Sequence, residues 1–407
     1  MKVLVVTGGF PLASETFVRA QCSGLLAAGC DVEVLALRPG DGSDFDEQER
    51  SLGLPARVRA ASLDRPLAAR LLRAPLRAGR IGLQSPAAAW KSVSPWSGWR
   101  ASSGRLLEAF AALGDGAIPR RYDIVHAQFG PSGIVASELR RAGLITGRLS
   151  VAFYGYDITR EPRLRGSAMY ERMFEDAEWI LPNSAYLAGL LREAGAPAEK
   201  VSVHRLGIDT DRFPFCDRSG RDESGPWRVV AVGRMVEKKG FEFLIRAIAR
   251  LGDLPNLKAT IVGDGPLRPE LARLAEDLAV GDRIELPGWL DHAEVGAVLS
   301  GADCFAAPSV VAADGDMEGL PLVVVEAMAT GLPVVGTRHS GIPEAVRPEV
   351  NGLLVEERDV EGLAEALRGL ASPLTRLKWG RESRAIAERD FSHPRLIDQL
   401  LKRWSVV

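Results

Sequence analysis

The chain opens on an unbroken apolar run, Val3-Leu4-Val5-Val6, closed by Thr7-Gly8-Gly9, and this pattern predicts a strand over 2–7 buried on both faces. Helical spacing to about residue 28 and a second apolar run over 31–37 complete a βαβ unit. Short apolar runs over 123–126, 149–153 and 179–182 repeat the pattern, each followed by helix-forming sequence. A second series starts beyond the Pro-, Asp- and Gly-rich stretch 214–226, with strands predicted over 228–232, 258–262, 283–286, 304–307 and 333–336. Strands alternating with helices imply an α/β protein with doubly wound parallel sheets, and the domain boundary falls between 1–212 and 213–387.

One segment breaks the alternation. Residues 57–105 carry ten Lys and Arg against one acid, Asp64, together with Trp90, Trp96 and Trp99. They read as an insertion, partly helical and interrupted by Pro66, Pro75, Pro86 and Pro95. Two readings stand side by side: a surface that holds the N-terminal domain against anionic lipid, or a solvated surface with its tryptophans in the core.

Length and composition narrow the function classes. At 407 residues the chain exceeds what one core usually supports, so two domains are expected. The formal charge of −2 gives no whole-molecule attraction to nucleic acid. Cys22, Cys30, Cys216 and Cys304 lack the spacing of a zinc site or a disulfide framework, which fits a cytoplasmic protein. The N-terminal apolar run is too short for a signal peptide, and no run approaches the ~20 residues of a membrane span.

The stretch from Glu318 to Glu326, Glu-Gly-Leu-Pro-Leu-Val-Val-Val-Glu, follows a predicted strand and so falls at the carboxyl edge of the sheet, where open α/β folds bind ligands. Pro321 suits a first helical turn and leaves the amides of Leu322 and Val323 free for an anion. In Val232-Gly233-Arg234-Met-Val-Glu-Lys-Lys239 a strand runs into a turn with two cations able to neutralise a diphosphate. Gly263-Asp264-Gly265-Pro266 reads as an ordinary tight turn. In the N-terminal half Gly8, Gly9 and Phe10, with Ser14 and Glu15, lack the dinucleotide spacing and point to acceptor contact. His126, Tyr154 and Asp157 are expected at the same edge.

Together these motifs resemble retaining glycosyltransferases of family 4, with the two-Rossmann-domain architecture called GT-B, along essentially the whole chain. The resemblance is closest to the colanic-acid type of exopolysaccharide transferase, through Ser14-Glu-Thr-Phe17, Pro308-Ser309, Ala313-Asp-Gly-Asp-Met-Glu-Gly319 and His339-Ser-Gly-Ile-Pro-Glu344. It implies two domains facing a cleft, with the last helix, about 388–407, packing back on the first domain. It implies catalytic roles for Glu318, Arg234, Lys239, His126 and Asp157. Donor contacts are implied for Gly233, Arg234, Lys239, Gly288, Glu318 on the sugar, Gly319, Leu320, Leu322, Val323, and Glu326 on the ribose. Acceptor contacts are implied for Gly8, Gly9, Phe10, Ser14, Glu15 and Tyr154. The chain departs from the family at Gln128 and Tyr154, where histidines are common.

The resemblance further implies transfer of a hexose from a UDP-sugar or GDP-mannose to a glycan or polyprenyl-diphosphate-linked acceptor, with no metal and no other cofactor. Asp314-Gly-Asp316 reads as loop. The implied site of action is the cytoplasm, at the inner membrane face if residues 57–105 bind lipid. Two other classes remain open: a nucleotide-sugar epimerase, exposed by product formed without acceptor, and a non-catalytic subunit that binds the donor without turnover.

Overall fold

The structure is a computed structural model that describes residues 1–63, 66–94, 104–114, 116–219 and 225–406. It divides into two compact units. One comprises Met1–Pro182, Ala188–His204 and Ile397–Val407; the other comprises Asn183–Leu187 and Arg205–Leu396.

In the first unit six strands run parallel: β1 (Lys2–Phe10), β2 (Asp31–Pro39), β3 (Val58–Ala60), β4 (Arg120–Gln128), β5 (Ile145–Phe153) and β6 (Ala177–Pro182), in the order β3-β2-β1-β4-β5-β6. The apolar run of β1 is central, with Val3 aligned to Val32 on one side and to Ile124 on the other. Both its faces are covered, which is why it reads as continuous rather than alternating. Val5, Val18, Leu25, Val34, Leu400 and Trp404 share its core.

The second unit repeats the plan with β7 (Trp227–Val232), β8 (Leu257–Val262), β9 (Ile284–Gly288), β10 (Cys304–Ala307), β11 (Val334–Thr337) and β12 (Gly352–Val355), all parallel in the order β12-β11-β10-β7-β8-β9. The chain works outward from β7 to β9, then restarts at β10 on the other side. The strand order therefore reverses between β7 and β10, and the edge beyond their carboxyl ends is the binding position of such sheets.

Segment 57–105 does not open as an insertion: its first residues form β3, the outermost strand of the first sheet, aligned Val34 to Val58. Helices Leu67–Gln84 and Pro86–Val93 follow, and Pro75 lies inside the first of them. Trp90 is exposed, not in the core. Asp64, Pro95, Trp96 and Trp99 lie outside the described residues. Among the described residues no helix is long and apolar enough to cross a membrane.

Candidate functional site

At the strand reversal of the second unit, backbone segments are packed so closely that only glycine fits. A Cβ on Gly240, at φ +62°, would lie 1.9 Å from the Pro308 carbonyl oxygen, so the turn after β7 and the loop after β10 touch backbone to backbone. A Cβ on Gly263, at φ +128°, would lie 2.0 Å from the Gly233 oxygen. Gly263 N–H donates to Gly288 at 2.8 Å, so Gly233, Gly263 and Gly288 bring the ends of β7, β8 and β9 into one ledge. The turn around Asp264, read from sequence as ordinary, is part of that ledge.

Lys239 folds back over Gly233, whose added Cβ would meet its Cε at 2.8 Å. Its Nζ stands 3.1 Å from Glu318 Oε1, and Lys238 stands 3.6 Å from the same oxygen and 3.1 Å from Asp316 Oδ2. Burial alone would raise the Glu318 carboxyl, but the two ammonium groups outweigh it and hold it at about 2. The carboxylate is thus ionised. Its backbone is fixed as well: Glu318 N–H donates to His339 Nε2 at 3.1 Å, and His339 Nδ1 donates to Glu357 Oε1 at 2.7 Å. Glu357 Oε2 in turn accepts from Val311 N–H at 2.8 Å.

Helix Leu322–Ala329 begins one residue later than the sequence suggested, with Pro321 at the N-cap. Leu322 and Val323 are its first two residues, so their N–H groups have no acceptor within the helix. One turn on, Glu326 has no ion-pair partner among the described residues, and burial pushes its carboxyl up to about 7. Arg234 is exposed on the turn after β7 and is likewise unpaired among the described residues. Gly319 accepts from Gly341 N–H at 2.8 Å. The Leu320 side chain is in the hydrophobic core with Val324 and Ile342, which leaves its backbone to the edge.

In the first unit the expected catalytic pair is sealed. His126 is fully buried, with Ser150 Oγ at 3.1 Å from Nδ1 and Gln21 Oε1 at 3.0 Å from Nε2, and burial pushes it down to about 4. Gln21 also accepts from Gln128, whose Oε1 accepts the Tyr154 hydroxyl at 2.5 Å. The two departures from the family are therefore one hydrogen-bonded pair. Asp157 is buried too: burial raises it to about 6, while N–H groups of Gly155 at 2.9 Å, Tyr154 and Gly130 bond its carboxyl. It clamps the end of β4 to the end of β5, and neither residue reaches solvent. Phe10 is in the core, with its ring against Phe45.

What remains open at this edge is Gly8, with no atom within 4 Å of an added Cβ, exposed Ser14, and half-buried Glu15, whereas Gly9 is buried beneath Arg38 and Leu12. Burial raises Glu15 to about 7 against the pull of Arg38, and its Oε2 makes no hydrogen bond among the described residues.

Sequence reasoning missed Lys238, Glu357, Gln21 and the part played by His339. The adjacent lysines were a visible signal for the first. Nothing local marks the others, because their partners come from distant segments.

Residues 226–372 match the model of the glycosyl transferases group 1 family, and residues 13–207 match that of the glycosyl transferase 4-like domain. The colanic acid biosynthesis glycosyltransferase WcaL of Escherichia coli (strain K12) is 36% identical over 378 residues, 90% of each chain. The amylovoran biosynthesis glycosyltransferase AmsK of Erwinia amylovora is 34% identical over 383 residues, 91% of each. Among solved structures, Anabaena Alr3699/HepE in complex with UDP superposes over 100% of both chains with TM-score 0.73 at 19% identity, a likeness of fold. With its two six-stranded parallel sheets and with relatives this similar along 90% of its length, the chain belongs to the family 4 glycosyltransferases of GT-B fold, in the group of the colanic acid and amylovoran enzymes.

Proposed function

We propose that the protein transfers a hexose, with retention of configuration, from a nucleoside-diphosphate sugar bound at the β7/β10 edge to a glycan or polyprenyl-diphosphate-linked acceptor, in exopolysaccharide synthesis. The observation that carries the donor half is the grouping of Lys238, Lys239 and the ionised Glu318 next in sequence to a helix start, with Glu326 unpaired one turn inside it. Lys239, Arg234 and the free amides of Leu322 and Val323 offer positive ends to a diphosphate. Glu318 and Glu326 offer acceptors to hydroxyl groups of the sugar and ribose. Asp316 is already neutralised by Lys238, which favours phosphate held by side-chain cations rather than by a metal. The UDP held by the Anabaena neighbour and the polysaccharide pathways of the relatives accord with this reading.

In the transfer, the bond from the anomeric carbon to the β-phosphate oxygen breaks and the acceptor oxygen bonds on the same face. The departing phosphate oxygen takes the acceptor's proton. Cations at the phosphate stabilise the charge that develops there, and removing one such group costs about 10²–10³ in kcat. Tyr154, positioned through Gln128, Gln21 and His126, and Glu15 belong to the acceptor side.

The test is thermal stabilisation by a panel of nucleoside diphosphates, on the wild type, Lys239→Ala and Glu326→Ala. One nucleotide raises the melting temperature of the wild type and shifts neither variant. No stabilisation of the wild type, or equal stabilisation of both variants, would sink the donor site as drawn.

A further inference from the structure

We propose that the outward face of helix Leu67–Gln84, together with exposed Trp90 on the helix that follows, is a docking surface for anionic lipid. Leu72, Leu76 and Leu83 are 84%, 69% and 89% exposed, and Trp90 is 66% exposed. Their spacing of four and seven residues places the leucines in one stripe. The opposite face is the one the protein uses: Ile81 is buried, Arg70 donates to the Leu63 carbonyl at 2.7 Å, and Arg77 pairs with buried Glu108. The helix is thus anchored by two arginines and an isoleucine while its largest apolar side chains face water. A soluble surface gains nothing from that arrangement.

Charge selects the occupant. Arg73, Arg80 and Lys91 are exposed beside the leucine stripe and Trp90, and residues 66–94 contain no Asp or Glu. A second copy packing this face on itself would set cations against cations. An anionic lipid surface instead takes the leucines below its headgroups, Trp90 at the interface and the cations among its phosphates. The whole chain has a net charge of −2, so the basic character is local to this face.

The experiment is co-sedimentation of the full chain, without nucleotide, with vesicles of phosphatidylglycerol and of phosphatidylcholine. Omitting nucleotide keeps the outcome independent of the donor-site reading. The wild type binds phosphatidylglycerol at least about tenfold more tightly than phosphatidylcholine. Leu72→Asp with Leu76→Asp, and separately Arg73→Glu with Lys91→Glu, each lose about tenfold or more while circular dichroism stays unchanged. No binding by the wild type, equal binding to both lipids, or wild-type binding by the leucine variant overturns the proposal. So does a dimer in sedimentation velocity that the leucine variant abolishes while vesicles stay unbound, since that assigns the face to a second copy.

Discussion

Two glutamates eight residues apart sit in opposite electrostatic environments, and each leaves its own mark on the pH dependence of stability. Glu318, held at about 2 by two lysines, has its folded pKa below the ordinary carboxylate value. It adds stability above the unfolded pKa and loses it as pH falls toward 2. Glu326, pushed up to about 7 by burial without a counter-charge, acts the other way. Between the unfolded value of 4.5 and 7 the folded state holds a proton that the unfolded state has released, so stability falls as pH rises, by up to ~3 kcal/mol. Glu326→Gln removes this pH dependence. Chemical denaturation at about pH 5 and about pH 8 should show a smaller loss in the variant than in the wild type. Glu15 and Asp157, also raised, keep a slope of the same sign in both proteins, and His126, pushed down to about 4, keeps one of the opposite sign in both. Identical slopes in variant and wild type would mean that Glu326 is not buried in its uncharged form.

At the scale of elements, the loop between β10 and helix Leu322–Ala329 has almost no regular structure and is held from outside. Val310 N–H donates to the Lys238 carbonyl at 2.9 Å, Val311 N–H to Glu357, Glu318 N–H to His339, and Gly341 N–H to Gly319. His339 is the bridge, since it accepts from one part of the loop and donates to the carboxylate that holds another. His339→Ala leaves the Glu318 N–H and a Glu357 oxygen unmatched, at a cost of about 1–3 kcal/mol. It should also lower turnover roughly tenfold by loosening Glu318. His339→Gln, with an acceptor and a donor on one side chain, should recover part of both losses. Denaturation and initial rates on the two variants check this, and wild-type stability in His339→Ala would rule it out.

The elements that could be read from sequence are those whose signal is local. Ten strands announce themselves as short apolar runs, most plainly the central ones, whose two faces are both covered. The other two, β3 and β12, are three- and four-residue edge strands with mostly half-exposed or exposed side chains; β3 holds no apolar run, and β12 offers only Leu353-Leu354-Val355. The site divides in the same way. The glutamate pair, the lysine turn and the glycines are short motifs, whereas the His339 to Glu357 link and the Gln21 to Gln128 link join distant segments that only the fold brings together. Phe10 and Leu320 lie inside such motifs, yet their side chains belong to the hydrophobic cores, which only the packing of distant segments shows.

At the scale of the whole molecule, the same strand order is used twice, and the chain's final residues complete the core of the first unit. Ile397, Leu400 and Trp404 pack with Val3, Val5 and Val34, although hundreds of residues separate them in sequence. Trp404 is fully buried with its ring 5.1 Å from His126, edge to face, and Arg148 donates to the carbonyls of Trp404 and Val406. Trp404→Ala opens a cavity beside the histidine that orders Gln21, Gln128 and Tyr154, and large-to-small changes of this kind cost about 3–5 kcal/mol. The loss belongs to the first unit, while the residues proposed to hold the donor belong to the second. Chemical denaturation should therefore show a clear drop in stability, while nucleoside-diphosphate affinity under native conditions stays within about twofold. A matching fall in affinity would show that the donor site draws its order from the first unit's core, and unchanged stability would show that Trp404 is not packed as described.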